Sequence, residues 1–192
     1  MVVEVFLVCL FAKLRHYRLR YLLRSRVFYP VLLVQVLLVV FQFSIFFHTR
    51  RFIRFVPLAE PAMILSFLLA IFAYRLYRPA IWGAASVVLG TVLNRFAIAQ
   101  NGGKMPVFPS LSYITGYLTP EALDSMDSLH ILGGEGTKFK FLTDYIDYGY
   151  SILSPGDLLI HLFACIMLYF MIVAVNRTFG SRSGRMQEGA FK

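Results

Sequence analysis

The sequence predicts an all-α integral membrane protein, a helical bundle of about five transmembrane helices with one long loop. Of its 192 residues, 58% are hydrophobic and only 15% are charged, whereas soluble domains are about 45–50% apolar and about 25% charged. The apolar residues also gather into runs close to the roughly 20 residues that cross a bilayer as a helix. The lipid bilayer is therefore the predicted solvent, and a soluble globular protein is nearly ruled out.

The first half of the predicted bundle begins with a thin span. Residues 2–14 are apolar, but a helix of this length is only about 20 Å long against a hydrocarbon core of about 30 Å. This segment therefore either crosses the membrane as a short first span or lies at the membrane interface. Residues 14–26 interleave leucine and tyrosine with arginine, which predicts an amphipathic helix at the membrane surface. Residues 27–47 are an unambiguous span, with Pro30 in the first turn, where its missing amide costs no hydrogen bond.

The second half of the predicted bundle consists of three further spans. A basic hairpin at 48–56 precedes them, and they are the apolar runs at 57–74, 80–99 and 158–175. In the middle one, Ser86 and Gly90 have the four-residue spacing of small residues that lets two helix backbones approach closely. A tail rich in Gly, Ser and Arg follows at 176–192, and the whole chain is predicted to be a single membrane domain.

The distribution of basic residues predicts the orientation of the spans. The formal net charge is +9, and six basic residues cluster near the N-terminus: Lys13, Arg15, Arg18, Arg20, Arg24 and Arg26. Because apolar segments flank this cluster, it indicates a cytoplasmic anchor that contacts lipid phosphate and not a nucleic-acid surface. The N-terminus is then outside, the loop at 100–156 is extracytoplasmic and the C-terminal tail is cytoplasmic.

The long loop at residues 100–156 is the expected place for function, because the other connections are short and long loops tend to be functional. Tyrosine and phenylalanine are frequent in it and are expected at the level of the lipid headgroups. It also holds six of the ten acidic residues: Glu121, Asp124, Asp127, Glu135, Asp144 and Asp147. We therefore predict an ordered loop on the external face of the membrane.

Three motifs in the second half of the chain resemble a family of small bacterial multi-spanning membrane proteins whose function is uncharacterised. They are Asn-Gly-Gly-x-Met-Pro-Val at 101–107, a His-containing stretch that ends in Leu-x-Asp at 130–144, and Ser-x-Gly-Asp at 154–157. The resemblance implies a bacterial inner-membrane protein and implies no reaction. It points to these signature positions: Asn101, Gly102, Gly103, Met105, Pro106, His130, Asp144, Gly156 and Asp157.

Each motif also has a structural interpretation. The residues at 101–103 can form a glycine turn at the end of a helix. The residues at 154–157 can start the last helix, with Ser154 as N-cap and Asp157 at the positive end of the helix dipole. One turn later, His161 can pair with Asp157. Arg95, at the end of a span, is expected to face protein and to form an ion pair with Asp144 or Asp157.

Three hypotheses about function remain open, and we leave open whether the protein is an enzyme. The leading one is an accessory or binding subunit whose loop docks a partner protein, a lipid or a quinone. In the second, Asp144 and Asp157 form the carboxylate dyad of an intramembrane hydrolase, which resembles the lipoprotein signal peptidases in part but lacks their Gly-Asn-x-x-Asp-Arg motif. In the third, His48 and His161 ligate a haem or bind a quinone.

A structural metal site is not predicted. Cys9 and Cys165 both lie inside apolar runs, so they have neither the spacing of zinc ligands nor that of a disulfide framework. The expected partners are therefore the lipid bilayer and either another membrane protein or a second copy of the chain, without nucleic acid.

Overall fold

A computed structural model describes residues 1–46, 58–118 and 129–189 and is mostly helical. The helices are α1 (Val2–Leu14), α2 (Arg20–Arg24), α3 (Tyr29–Phe46), α4 (Ala59–Ser66), α5 (Leu68–Tyr74), α6 (Tyr77–Gln100), α7 (Leu111–Ile114) and α8 (Pro155–Gly189). Between α6 and α8 lie the short strands β1 (Met105–Val107), β2 (His130–Leu132), β3 (Ile146–Asp147) and β4 (Ile152–Leu153). Short 3-10 turns occur at Arg26–Phe28 and Lys140–Leu142.

Two helices are long and apolar enough to cross a membrane, Tyr77–Gln100 and the Pro155–Gly180 part of α8. They contain the predicted spans at 80–99 and 158–175. The other predicted spans fall in shorter helices. The predicted span at 57–74 is interrupted at Phe67 between α4 and α5, where the Ser66 hydroxyl donates a hydrogen bond to the Met63 carbonyl (2.6 Å) and so competes with the helical backbone pattern.

The amphipathic helix predicted at 14–26 is largely absent. The backbone of His16 adopts a left-handed conformation (φ 62°), which ends α1 because a side chain is disfavoured there in a continuing helix. Helix α2 then covers only Arg20–Arg24, and it buries Tyr21 and Leu22. The prediction was wrong because the pattern of leucine, tyrosine and arginine does not indicate that the backbone becomes left-handed at His16.

The chain divides into two compact units, and the first consists of Met1–Val39, Phe55–Ala84 and Phe163–Lys192. Its core is a face of α8 on which residues three or four apart are buried, including Met167 and Met171. The ring of Phe67 packs edge-on against Phe163, with centroids 5.8 Å apart. A polar contact also ties this unit together, because Asn176 of α8 accepts a hydrogen bond from the Arg18 backbone N–H (2.8 Å).

The second unit consists of Val40–Arg54 and Ala85–Leu162 and contains the long loop. Strands β1 and β2 pair in parallel, with Met105 opposite His130. Strands β3 and β4 form an antiparallel pair that leads into α8. The loop is thus folded where the structure describes it.

Some predicted features lie outside the described residues. These are the haem or quinone ligand His48 and the acidic residues Glu121, Asp124 and Asp127. The whole of the basic hairpin at 48–56 lies there too, including its three arginines.

Candidate functional site

The start of α8 is closed by a reciprocal pair of hydrogen bonds. The Asp157 N–H donates to Ser154 Oγ (2.9 Å), and the Ser154 N–H donates to Asp157 Oδ2 (2.9 Å). This is a capping box, in which two amides without helical partners are satisfied. The structure therefore confirms the helix start predicted at 154–157.

Asn94 of α6 completes this cap. Its Nδ2 donates to Asp157 Oδ1 (2.7 Å), and its Oδ1 accepts from Ser154 Oγ (2.8 Å). The arrangement requires glycine at two positions. A Cβ at Gly156 would lie 1.9 Å from Asn94 Oδ1, and one at Gly90 would lie 2.4 Å from the Gly156 carbonyl oxygen. The close helix approach predicted at Gly90 is therefore present, and its partner is the first turn of α8.

The Asn-Gly-Gly segment ends α6. Gly102 and Gly103 have φ of 70° and 83°, and a Cβ at either would meet no atom within 4 Å, so they serve backbone conformation and not close packing. Asn101 does more than end the helix. Its Oδ1 accepts from the Lys138 N–H (2.9 Å), and its Nδ2 donates to the Lys138 carbonyl (3.0 Å). The motif therefore fixes the backbone at residue 138.

Strand β1 lies between β2 and the backbone of Asp144. Met105, Pro106 and Val107 are all buried. The Asp144 N–H donates to the Pro106 carbonyl (3.1 Å), and the Phe108 N–H donates to the Asp144 carbonyl (2.7 Å). Pairing on both sides of β1 thereby brings two of the signature residues, His130 and Asp144, together.

The side chain of Asp144 is buried and its pKa is perturbed. The residue is 5% exposed, and burial, followed by the negative charge of Asp157, raises the pKa of its carboxyl to about 8. Among the described residues, its Oδ1 has no hydrogen-bond partner. Oδ2 lies 3.7 Å from Nε2 of the partly exposed His130. An acid of this pKa can exchange a proton near neutral pH.

Asp147 organises the middle of the loop and was not singled out by the sequence. Its Oδ2 accepts from the N–H groups of Ser110 (2.7 Å) and Ser112 (2.8 Å), and its Oδ1 accepts from Ser112 Oγ (2.6 Å) and the Gly149 N–H (2.7 Å). Burial raises the pKa of this carboxyl, but the hydrogen bonds from Ser112, Ser110 and Gly149 outweigh burial and lower it below its ordinary value. The Ser-x-Ser segment alone could have suggested a carboxylate partner.

Phe139 is the other residue that sequence reasoning missed. Its backbone is left-handed (φ 50°), which costs a bulky residue roughly 1–2 kcal/mol. Its ring lies 5.0 Å from that of Phe96 on α6 and 6.2 Å from that of Phe141. All three residues are exposed, Phe141 to 63%. We call Phe96, Phe139 and Phe141 the aromatic cluster.

A model of a family of unknown function, DUF5317, matches residues 21–169. The chain belongs to DUF5317. The match includes all of the motifs on which the resemblance was based, and this agrees with the expected uncharacterised family. Comparisons with curated proteins and with solved structures give no significant match. The DUF5317 match therefore assigns no chemistry to the chain.

Arg95 does not have the acidic partner expected from the sequence in the part of the chain that the structure describes. Arg95 is exposed, and the ion pairs found among the described residues do not include it. The predicted pair with Asp144 or Asp157 is absent because Asn94, its neighbour, takes the position facing the cap. Both Asp157 oxygens receive hydrogen bonds from Asn94 and Ser154, while His161 is partly buried one turn later. No group of metal ligands occurs among the described residues.

Replacing Asp144 with asparagine is expected to flatten the pH dependence of stability. The folded pKa of about 8 lies above the ordinary value of about 3.9, so the stabilising contribution of the protonated acid is complete below about pH 4 and is lost as pH rises towards 8. Asparagine stays neutral, so the free energy of unfolding of Asp144→Asn should rise relative to that of wild type by up to a few kcal/mol between pH 5 and pH 9. Thermal unfolding in detergent at both pH values measures this difference.

The exposed acid Glu135 provides the control, because Glu135→Gln changes the charge by the same amount without a buried site. Parallel pH profiles for wild type and Asp144→Asn would show that the carboxyl is not protonated in the folded protein.

Proposed function

We propose that the chain is a non-catalytic accessory subunit of a bacterial inner membrane that docks a partner membrane protein through the aromatic cluster. Exposed aromatic residues are enriched in protein interfaces and often dominate their binding energy. The three rings are contiguous and belong to both α6 and the loop. Their chemistry suits an apolar groove on the partner.

The strained backbone of Phe139 is the observation that carries this proposal. A left-handed conformation at a bulky residue persists only where its surroundings hold it, and such strain concentrates at functional sites. Here the preceding residue, Lys138, is held by two hydrogen bonds with the Asn101 side chain, and the Leu142 N–H donates to the Phe139 carbonyl (2.8 Å). The loop therefore holds an exposed ring in one position at a cost in folding free energy. A ring that is already ordered loses less conformational entropy when a partner binds.

The placement in the membrane that we propose is the one predicted from the sequence. The five spans, the external loop and the cytoplasmic C-terminus remain part of the proposal. Support for the bilayer comes from α6, on which Val88 is 63% exposed and Val92 is 55% exposed. Apolar surface of this kind along a helix of 24 residues is expected to contact lipid or another membrane helix.

The aspartyl hydrolase is the second candidate, and the raised pKa of Asp144 beside Asp157 favours it. Against it, both oxygens of Asp157 are engaged in the cap of α8, and no hydrogen bond joins the two carboxyls in the described structure. A dyad needs two carboxyls that can share a proton and activate water. An Asp157 held this way acts as a structural group, so we favour the docking role.

The substitution Phe139→Gly tests the docking role. Glycine adopts the left-handed backbone without strain, so the variant should stay within about 1 kcal/mol of the wild-type stability. It removes the central ring, so we expect the partner that co-purifies with wild type from native membranes in mild detergent to fall at least about tenfold. Thermal unfolding and quantitative mass spectrometry of the purified material measure the two effects.

Ile114→Ala serves as the matched control, because Ile114 is an exposed apolar residue of the same unit, at 82% exposure, outside the aromatic cluster. It should retain the partner. Equal recovery of the partner by Phe139→Gly and wild type would contradict the proposal, as would the finding that wild type purifies alone.

A further inference from the structure

We propose that a groove between the end of α5, the start of α6 and the middle of α8 binds one anionic phospholipid, with its headgroup phosphate on arginine side chains and an acyl chain along exposed aromatic residues. This inference extends the proposed membrane function, on which it rests, to a specific lipid site. The groove belongs entirely to the first unit and does not involve the aromatic cluster.

The groove has the size and charge of a headgroup site. Its volume is about 880 Å³, within the range of ligand pockets. Arg75, Arg78 and Arg177 line it, and none of the described residues that line it is acidic. Arginine suits phosphate because the planar guanidinium donates two parallel hydrogen bonds to its oxygens. The exposed Arg75 and Arg78, with no carboxylate in the lining, therefore favour an anion.

The backbone explains how two of these arginines come together. Arg75 adopts a left-handed conformation (φ 53°) at the end of α5, and the Leu76 N–H donates to the Ile71 carbonyl (2.9 Å). The chain then turns into α6, which starts at Tyr77. This tight reversal leaves Arg75 and Arg78 three residues apart on the same groove, and both are exposed.

The apolar part of the lining points to a lipid and not to a free phosphate. Trp82 lines the groove and is 73% exposed, and Phe170 of α8 lines it and is 41% exposed. Tryptophan is enriched where membrane meets water, because its ring is apolar and its N–H is polar. Arginines beside exposed aromatic surface match the two parts of a phospholipid, whereas inorganic phosphate would contact only the arginines.

Fluorescence of Trp82 tests this site directly, because it is the single tryptophan of the chain. The full chain in phosphatidylcholine nanodiscs is prepared with increasing fractions of phosphatidylglycerol that carries brominated acyl chains, which quench tryptophan on contact. A second series uses brominated phosphatidylcholine. We expect the anionic lipid to quench Trp82 at a mole fraction at least about tenfold lower than the zwitterionic lipid does.

The double variant Arg75→Gln/Arg78→Gln should lose this preference. The control Arg95→Gln/Lys104→Gln removes the same charge from exposed residues of the second unit and should keep it. Equal quenching by the two lipids, or an unchanged preference in the groove variant, would overturn the proposal. Relief of quenching by millimolar inorganic phosphate would assign the groove to a free phosphate and would overturn the lipid assignment.

The outcome does not depend on the docking role. If wild type bound no partner protein, the preference for anionic lipid in the quenching experiment would still be expected, since Trp82 and the arginines lie in the first unit. Release of the chain from membranes by alkaline carbonate would instead refute the membrane placement itself.

Discussion

Gly156→Ala is expected to prevent the packing of α6 against the start of α8. The added Cβ would lie 1.9 Å from Asn94 Oδ1 and 2.7 Å from the Gly90 carbonyl oxygen. Asn94 cannot move without breaking its hydrogen bonds to Asp157 and Ser154. We expect a loss of about 3 kcal/mol or more, at the upper end for overpacked sites, measured as thermal unfolding in detergent.

The same helix supplies the control for this substitution. Gly180 also lies in α8, but a Cβ there meets no atom within 4 Å. Gly180→Ala should therefore be neutral or stabilising, by up to about 1 kcal/mol, because alanine favours helix. If Gly156→Ala melted at the wild-type temperature, the close contact at the cap would be refuted.

Asp147→Ala is expected to unfold the middle of the long loop. Five donors, from Ser110, Ser112 and Gly149, lose their acceptor, and hydrogen bonds to a charged group contribute about 1.5–3 kcal/mol each. Because such contributions are not additive, we expect a total loss of about 3 kcal/mol or more. Limited proteolysis between β2 and β4 should become rapid in the variant and remain slow in wild type.

The pH dependence of this variant has a defined sign. The lowered pKa of Asp147 gives a stabilisation that is present above the ordinary aspartate pKa of about 3.9 and is lost as the pH falls through the folded pKa. Wild type should therefore lose more stability than Asp147→Ala on acidification. Glu135→Ala removes an exposed acid of the same loop and should cleave like wild type. Slow proteolysis of Asp147→Ala would show that its hydrogen bonds do not hold the loop.

Local sequence rules predicted where α6 ends and where α8 begins. The cap at Ser154 and the glycine turn at 101–103 could be predicted because each depends on neighbouring residues whose hydrogen bonds or backbone angles are local. The α1 helix at 2–14 likewise follows from its apolar run. The interruption at Phe67 could not be predicted, because a single serine such as Ser66 in an apolar run is also compatible with a continuous helix.

The proposed docking surface could not be predicted because it depends on contacts between residues far apart in the chain. Asn101 holds Lys138 from 37 positions away, and this contact fixes the residue that precedes Phe139. Asp147 similarly binds Ser110 and Ser112 across 35 or more positions. Sequence reasoning placed the function in the long loop but emphasised Asp144 and Asp157, whose side chains are buried or engaged in a helix cap.

Site-specific photocrosslinking from the aromatic cluster is the most direct test of the docking role. A photoreactive amino acid at Phe141, the most exposed ring of the cluster, is compared in native membranes with the same amino acid at Ile114. The proposal predicts one discrete adduct with a second membrane protein from position 141, none from position 114, and loss of the adduct when Phe139→Gly is added. Adducts with lipid alone, or only with another copy of the chain, would contradict it.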